Sequence, residues 1–346
     1  MKIKSAILTK QNSPLVIEEV IFNNSLTFGQ VLVKVHYTSI CGSQIDEITG
    51  ANGQDKYLPH LMGHEGVGTV LEIGPGVKTV NIDDTVVMHA IPSNGLQSET
   101  PVYFLGNQRV NAGLVTTFNE YAVVSENRVV SIPKDFDLKL APLFGCAITT
   151  AMGVINNEAK LKSGQSIVIY GCGSTGLHVV QAAKMLTAYP IVAIDVFDER
   201  LEASKKFGAT HTINIEKCND SGEKILGIVG SKGANIVINT TKNPQVIEQA
   251  YNITADDGKT ILIGLPHKGE QISYQLKKDF KKVLVGTLGG STRPEIEIPR
   301  YIRLVSAGLM TLDGIITDEF RLEEINDAIY LSRNGKIGKC VIRMDA

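Results

Sequence analysis

The sequence predicts an α/β protein in two parts: a β-rich unit, then a buried parallel sheet wound with helices. Three observations carry that reading. Residues 1 to about 148 hold short strand patterns broken by glycine and proline, as in a strongly bent, barrel-like all-β unit. From about residue 149 the order becomes strand, helix, strand, helix, and the strands are almost wholly apolar, as strands covered on both faces are. Between one such strand and one such helix lies Tyr170-Gly171-Cys172-Gly173-Ser174-Thr175-Gly176, a glycine-spaced turn.

The elements follow in order. Residues 1–8 alternate like a first strand, and 31–37, 66–73 and 84–88 are further strands, with a turn at Gly74-Pro75-Gly76-Val77. Residues 88–116 read as an irregular insertion, and a loop of that length is usually functional or part of an interface. A strand resumes at 118–124. In the second part, strands are expected at 166–170, 191–195, 234–239, 260–264 and 282–287, with helices at 175–186 and 198–207. Helices at 299–307 and 322–333 and a strand at 340–344 close the chain and return it to the first unit.

The chain has 346 residues, 43% apolar and 20% charged, with a net charge of −2, enough for two domains with real cores. No long run of like charge is present, which argues against a nucleic-acid partner. No apolar run reaches the ~18 residues of a membrane span, and the N-terminus lacks the pattern of a signal peptide. Five scattered cysteines, an odd number, point to reduced thiols in a cytoplasmic enzyme.

Gly171 permits a tight turn, Gly173 opens the backbone N–H groups to a pyrophosphate, and Gly176 lets the following helix pack closely on the sheet. Ser174 and Thr175 complete the fingerprint. Asp195 ends the next strand 195 − 176 = 19 residues later, near the ~20 expected of the acid that binds the adenosine ribose. A carboxylate there repels a 2′-phosphate, so NAD is expected rather than NADP, although the nearby Arg200 could host that phosphate. Cys41, His64 and Cys146 offer a thiolate, an imidazole and a second thiolate. Three such ligands suit a tetrahedral Zn²⁺ and leave its fourth position open for catalysis.

Taken in order, Cys41-Gly42-Ser43, Gly63-His64-Glu65-Gly66-Val67-Gly68, Gly145-Cys146-Ala147-Ile148-Thr149-Thr150 and the glycine fingerprint make the chain resemble the zinc-dependent medium-chain alcohol dehydrogenases. The resemblance implies a GroES-like β-rich catalytic domain on 1–148 and 288–346. It implies a Rossmann domain, a doubly wound parallel sheet, on 149–287. It further implies Cys41, His64 and Cys146 as ligands of one catalytic zinc per chain, and Glu65 as a carboxylate behind the metal. Ser43 would bond the substrate oxygen and begin a proton relay, Thr150 would lie at the nicotinamide, and Lys339 near the pyrophosphate. A homodimer or homotetramer is expected on the same ground.

The chain also departs from the family pattern. Residues 88–116 hold no cysteine, so the family's second, structural zinc is expected to be absent. Gln44 stands where the family has an acid. Asp46 takes the place of a relay histidine and could extend the relay. The expected reaction is oxidation of an alcohol, with polyols, sugar derivatives and simple alcohols all open. The rivals are a metal-free quinone or enoyl reductase of the same superfamily, against which the Cys/His/Cys set argues, and a non-catalytic nucleotide-binding protein.

Overall fold

The computed structural model describes residues 1–273, 281–334 and 338–344. The chain forms two compact units, Met1–Cys146 with Arg293–Ala346, and Ala147–Thr292.

The first unit is built from two sheets. Strand β3 (Gln30–Ser39) is the axis of the larger one, pairing antiparallel with β5 (Gly66–Ile73), β9 (Tyr121–Ser125) and β18 (Lys339–Arg343). Its alternate residues Val31, Val33 and Val35 are fully buried in the main core beside Phe118, Ala122 and Ile342. Alternation of that kind is what a strand with one face on a core requires. Because β18 comes from the end of the chain, the C-terminal segment completes this sheet, and its Lys339 enters the interior.

The smaller sheet runs β4-β1-β2-β7-β8, with β1 at Lys2–Leu8, β2 at Val16–Ile21 and β4 at His60–Leu61. Strands β7 (Tyr103–Leu105) and β8 (Gln108–Val110) are a hairpin inside the segment expected to be irregular, which corrects that expectation. Tyr103 is fully buried against Phe22, and its hydroxyl accepts a bond from the Val123 amide at 3.1 Å. Strands of three residues are too short for alternation to show, so pairing and burial of one tyrosine decide the structure.

His89 opens the same segment and is 1% exposed. Its ring Nδ1 lies 2.6 Å from the Ile91 carbonyl, and burial, aided by Arg128, pushes its pKa down to about 4. A folded value below the unfolded 6.5 means that the unfolded chain binds the proton first. The stability contributed by neutral His89 is therefore full above pH 6.5 and is lost as the pH falls toward 4. At ~1.4 kcal/mol per unit the loss is roughly 3 kcal/mol. Denaturant unfolding of wild type and His89→Gln at pH 7 and pH 4.5 should show a smaller acid loss in the variant. Equal losses would contradict this.

The second unit holds one parallel sheet in the order β13-β12-β11-β14-β15-β16. Numbered within the unit this is 3-2-1-4-5-6, the doubly wound order with its switch point between the first and fourth strands. Strand β11 (Ile167–Tyr170) sits at the centre, every residue buried, between β12 (Ile191–Asp195) and β14 (Ala234–Asn239). Strands β13 (His211–Asn214), β15 (Thr254–Leu262) and β16 (Val283–Gly286) complete it.

Helix α3 spans Ser174–Met185 and α4 spans Asp198–Phe207, as their spacing predicts to within a residue. The helices Ser221–Val229 and Pro244–Asn252 appear as well. In the first unit a helix begins at Pro294, before the expected 299, because Pro294 occupies its first turn, where a missing N–H costs nothing.

Candidate metal centre and cofactor site

The three proposed ligands come from three local structures. Cys41 caps a short helix, α1 (Gly42–Thr49), and its amide donates to the Gln44 Oε1 at 3.1 Å. Gln44, where the family has an acid, is thus spent on holding Cys41 at the helix start. His64 follows Gly63 in the link between β4 and β5. Cys146 follows the 3-10 turn Ala141–Gly145. Gly145 is needed for that approach, since a Cβ there would lie 2.6 Å from the Met88 carbonyl and 2.7 Å from the Glu65 Cβ.

The structure brings one donor atom of each residue within 4.8 Å of the others. The two sulfurs are 3.9 Å apart. A disulfide would need ~2.05 Å, whereas two thiolates at ~2.3 Å from one tetrahedral ion stand about 3.8 Å apart. The residues present fit zinc. Cys146, followed by His64, holds the Cys41 thiol well below its usual range despite burial. Cys41 and burial in turn push the Cys146 thiol far up.

Behind them, Glu65 is fully buried and paired with the Lys339 ammonium, itself nearly buried. Burial raises the Glu65 carboxyl pKa, with Lys339 opposing; the surrounding anions raise that of Lys339 despite its burial. As a neutral pair the two leave the charge of a dication to be met by the two thiolates. Glu65 Oε2 has no hydrogen-bond partner among the described residues. The resemblance placed Lys339 at a pyrophosphate; the structure instead commits its ammonium to Glu65.

Ser43 lies in the first turn of α1, and its hydroxyl donates to Cys41 Sγ at 3.4 Å. Asp46 is one turn further on, and both line a cavity of about 340 Å³ with Glu47, Asn52 and Asp55. A larger cavity of about 550 Å³ adjoins His64 and is lined by Tyr57, Met62, Arg109, Leu114 and Val115.

In the second unit the glycine turn has the form its spacing predicts. Gly171 takes a φ of +88°, and a Cβ on Gly176 would lie 1.9 Å from the Gly171 carbonyl, so the helix packs this closely on the turn only because residue 176 is glycine. A Cβ on Gly173 would meet nothing within 4 Å, which leaves an open cradle beneath the first turn of α3 with Ser174 and Thr175. A helix N-terminus of this kind favours an anion. Asp195 Oδ1 accepts from the amides of Val196 (2.8 Å) and Phe197 (3.0 Å), and Oδ2 from that of Cys172 (2.7 Å). Arg200 is 3.6 Å from Oδ2 and lies over the Phe197 ring. Gly171, Gly173, Asp195, Arg200, Thr240 and Val246 line a cavity of about 410 Å³. Thr150 is not among its lining residues. It is buried on the helix Ala147–Gly153, its carbonyl against Gly290.

Sequence reasoning missed the Gln44 cap, the Glu65–Lys339 pair and a second cluster, Glu47, Asp55 and His60, whose donor atoms also lie within 4.8 Å of one another. His60, four residues before His64, is its one local signal.

Two family models match the chain: the alcohol dehydrogenase GroES-like domain over residues 27–134 and the zinc-binding dehydrogenase over residues 174–307. The chain belongs to the zinc-type medium-chain dehydrogenase/reductase superfamily and is an oxidoreductase of its alcohol dehydrogenase class. Zinc and a nicotinamide cofactor fit that family. Alcohol dehydrogenase 6 of Peromyscus maniculatus is 29% identical over 99% of this chain and 98% of its own. Benzyl alcohol dehydrogenase of Acinetobacter calcoaceticus is 27% identical over 99% of both chains, with a TM-score of 0.89. An alcohol dehydrogenase zinc-binding domain protein of Burkholderia ambifaria superposes with a TM-score of 0.92 over 100% of both chains at 24% identity, a likeness of fold. No helix among the described residues is long and apolar enough to cross a membrane.

Proposed function

We propose that the chain reversibly oxidises a primary or secondary alcohol to an aldehyde or ketone, with NAD as the hydride acceptor and one catalytic zinc. The observation that carries this is the convergence of two sulfurs and an imidazole in a chain that also has a complete dinucleotide cradle. When bound, the zinc supplies Lewis acidity to the alcohol oxygen and the nicotinamide takes up the hydride.

The chain's own residues do the rest. Cys41, His64 and Cys146 hold the metal, and the Lys339 ammonium neutralises Glu65 behind it, so that no unpaired anion competes. We assign Lys339 to that role and not to the pyrophosphate. The Ser43 hydroxyl, on the same edge as Cys41, accepts the alcohol proton, and Asp46 carries it outward along α1. Thr150 is assigned to the nicotinamide end of the cofactor. Amides at the start of α3, from Gly173, Ser174 and Thr175, face the pyrophosphate.

Asp195 is assigned to the adenosine ribose and selects NAD over NADP. Three backbone amides and Arg200 hold its carboxylate in place. Asp195→Ala should raise the KM for NAD⁺ by roughly 10- to 100-fold, the worth of one or two charge-assisted bonds, and let Arg200 take a 2′-phosphate. Steady-state kinetics with NAD⁺ and NADP⁺ test this; an unchanged preference would refute the assignment.

Strand β16 supports a homodimer. Among the described residues it ends the sheet, and Val283 and Val285 on it, with Leu288 beyond it, are exposed. Bare apolar edges of this kind invite pairing with a second copy; a homotetramer would pair two such dimers. Light scattering should return a dimer or tetramer mass, and Val285→Lys a smaller one. Five cysteines, none in a disulfide, support a reducing, cytoplasmic setting.

The reaction itself is tested by NAD⁺ reduction at 340 nm with simple, aromatic and polyhydric alcohols, sugar derivatives included, before and after chelation. Turnover that stops on chelation and returns with Zn²⁺ is expected. Full activity in metal-free protein would overturn the proposal.

A further inference from the structure

We infer that Glu47, Asp55 and His60 form a second divalent-cation site, separate from the Cys/His/Cys centre and not needed for the reading above. The three residues come from three segments, α1, the loop after it, and β4. His60 Nε2 lies 2.8 Å from Asp55 Oδ2 and 3.7 Å from Glu47 Oε1. Nitrogen and oxygen ligands at ~2.0–2.2 Å from one tetrahedral ion stand about 3.3–3.6 Å apart, a separation that these two distances bracket.

The hydrogen bonding around His60 points to a cation. Its Nδ1 is 2.8 Å from the Leu61 carbonyl, which can only accept, so that nitrogen carries the ring proton. Nε2 faces two carboxylate oxygens, and the positive charge they call for is supplied either by a second ring proton or by a cation held among the three side chains. A metal-ligating histidine commonly donates its other N–H to a backbone carbonyl, as Nδ1 of His60 does here, which fixes the ring with Nε2 toward the two carboxylates.

The donors are held in place beforehand. Asp55 Oδ1 accepts the Tyr57 amide at 2.8 Å, which leaves Oδ2 for His60. Gln11 ties the two acidic segments together. Its Oε1 accepts the Asp55 amide at 3.1 Å, and its Nε2 donates to the Gly53 carbonyl at 3.0 Å and the Glu47 carbonyl at 3.5 Å. The side chains of Asp55 and His60 are each 8% exposed, whereas that of Glu47 is 47% exposed and leaves a path of entry. Among the described residues neither carboxylate pairs with a lysine or arginine. Burial of part of the side chain, reinforced by Asp55 and opposed by His60, pushes the Glu47 carboxyl pKa up. One nitrogen and two oxygens, without sulfur, suit Mn²⁺ or Zn²⁺. Glu47 and His60 line the same 550 Å³ cavity as His64, so an ion here would border the space beside the first centre.

The test titrates Mn²⁺ into the zinc-loaded enzyme and follows free Mn²⁺ by electron paramagnetic resonance, with Zn²⁺ as a second probe by calorimetry. One further ion per chain is expected. Glu47→Gln, a change at the surface, and Asp55→Asn should each weaken it by about tenfold or more while circular dichroism and an unchanged first equivalent of zinc show that the first unit is folded. Cys41→Ser should leave it unchanged, which separates this site from the proposed catalytic one. Absence of any bound Mn²⁺ or Zn²⁺ beyond the first equivalent would mean that the cluster is an imidazolium ion pair, and would overturn the inference. So would an extra ion that persists undiminished in Glu47→Gln and Asp55→Asn.

Discussion

His64→Ala is expected to lower kcat/KM for the best alcohol by on the order of 10³-fold or more, with NADH binding kept within about twofold. The reasoning is energetic. Lewis-acid stabilisation of a developing alkoxide is worth several kcal/mol, and each 1.4 kcal/mol is about tenfold in rate. His64 belongs to the first unit and the dinucleotide cradle to the second, so loss of the imidazole should leave the cradle intact. Cys41→Ser should behave alike, because the Cys41 thiol is the one its neighbours already hold toward the thiolate. Fluorescence titration with NADH beside steady-state kinetics separates the two effects. A variant that loses cofactor binding and turnover together has unfolded and says nothing about metal ligation; one that keeps full turnover contradicts the role of His64.

The second large effect concerns stability. Lys339→Met should destabilise the fold by roughly 3–5 kcal/mol, since it strands the Glu65 carboxylate in the interior. The pair itself need not be strongly stabilising, as the cost of desolvating two charges offsets much of their attraction. The double variant Glu65→Leu with Lys339→Met should therefore recover much of the loss. Denaturant unfolding of the wild type, the two single variants and the double variant closes the cycle. Additive losses would show that the two side chains do not act as a pair.

The dinucleotide turn is legible in the sequence because backbone geometry leaves no choice of residue. Gly176 must be glycine when the Gly171 carbonyl is so near, and that demand appears as a spacing. The Cys41, His64 and Cys146 set is legible for a similar reason, as few side chains hold a metal. Helix α1 is harder to see. Gly42-Ser43-Gln44 has no apolar period, and what starts the helix is the Gln44 side chain bonding the Cys41 amide. The hairpin at Tyr103–Leu105 and Gln108–Val110 stays hidden because its short strands gain their order from β2 and the Val123 amide, which are distant in sequence. The helices Ser221–Val229 and Pro244–Asn252 lack a long apolar stripe but carry local start signals. Asp220 caps the first, and Asn243 with Pro244 opens the second. The Glu65–Lys339 pair has no local signal at all, since only the pairing of β18 with β3 brings the two together.

X-ray absorption at the zinc edge of the purified enzyme reads the ligands of the metal one by one. One tightly held zinc per chain is expected, with two sulfurs at about 2.3 Å and lighter donors at about 2.0 Å, and one sulfur fewer in Cys146→Ser. A zinc shell of oxygen and nitrogen alone, or no stoichiometric zinc in fully active protein, would contradict it.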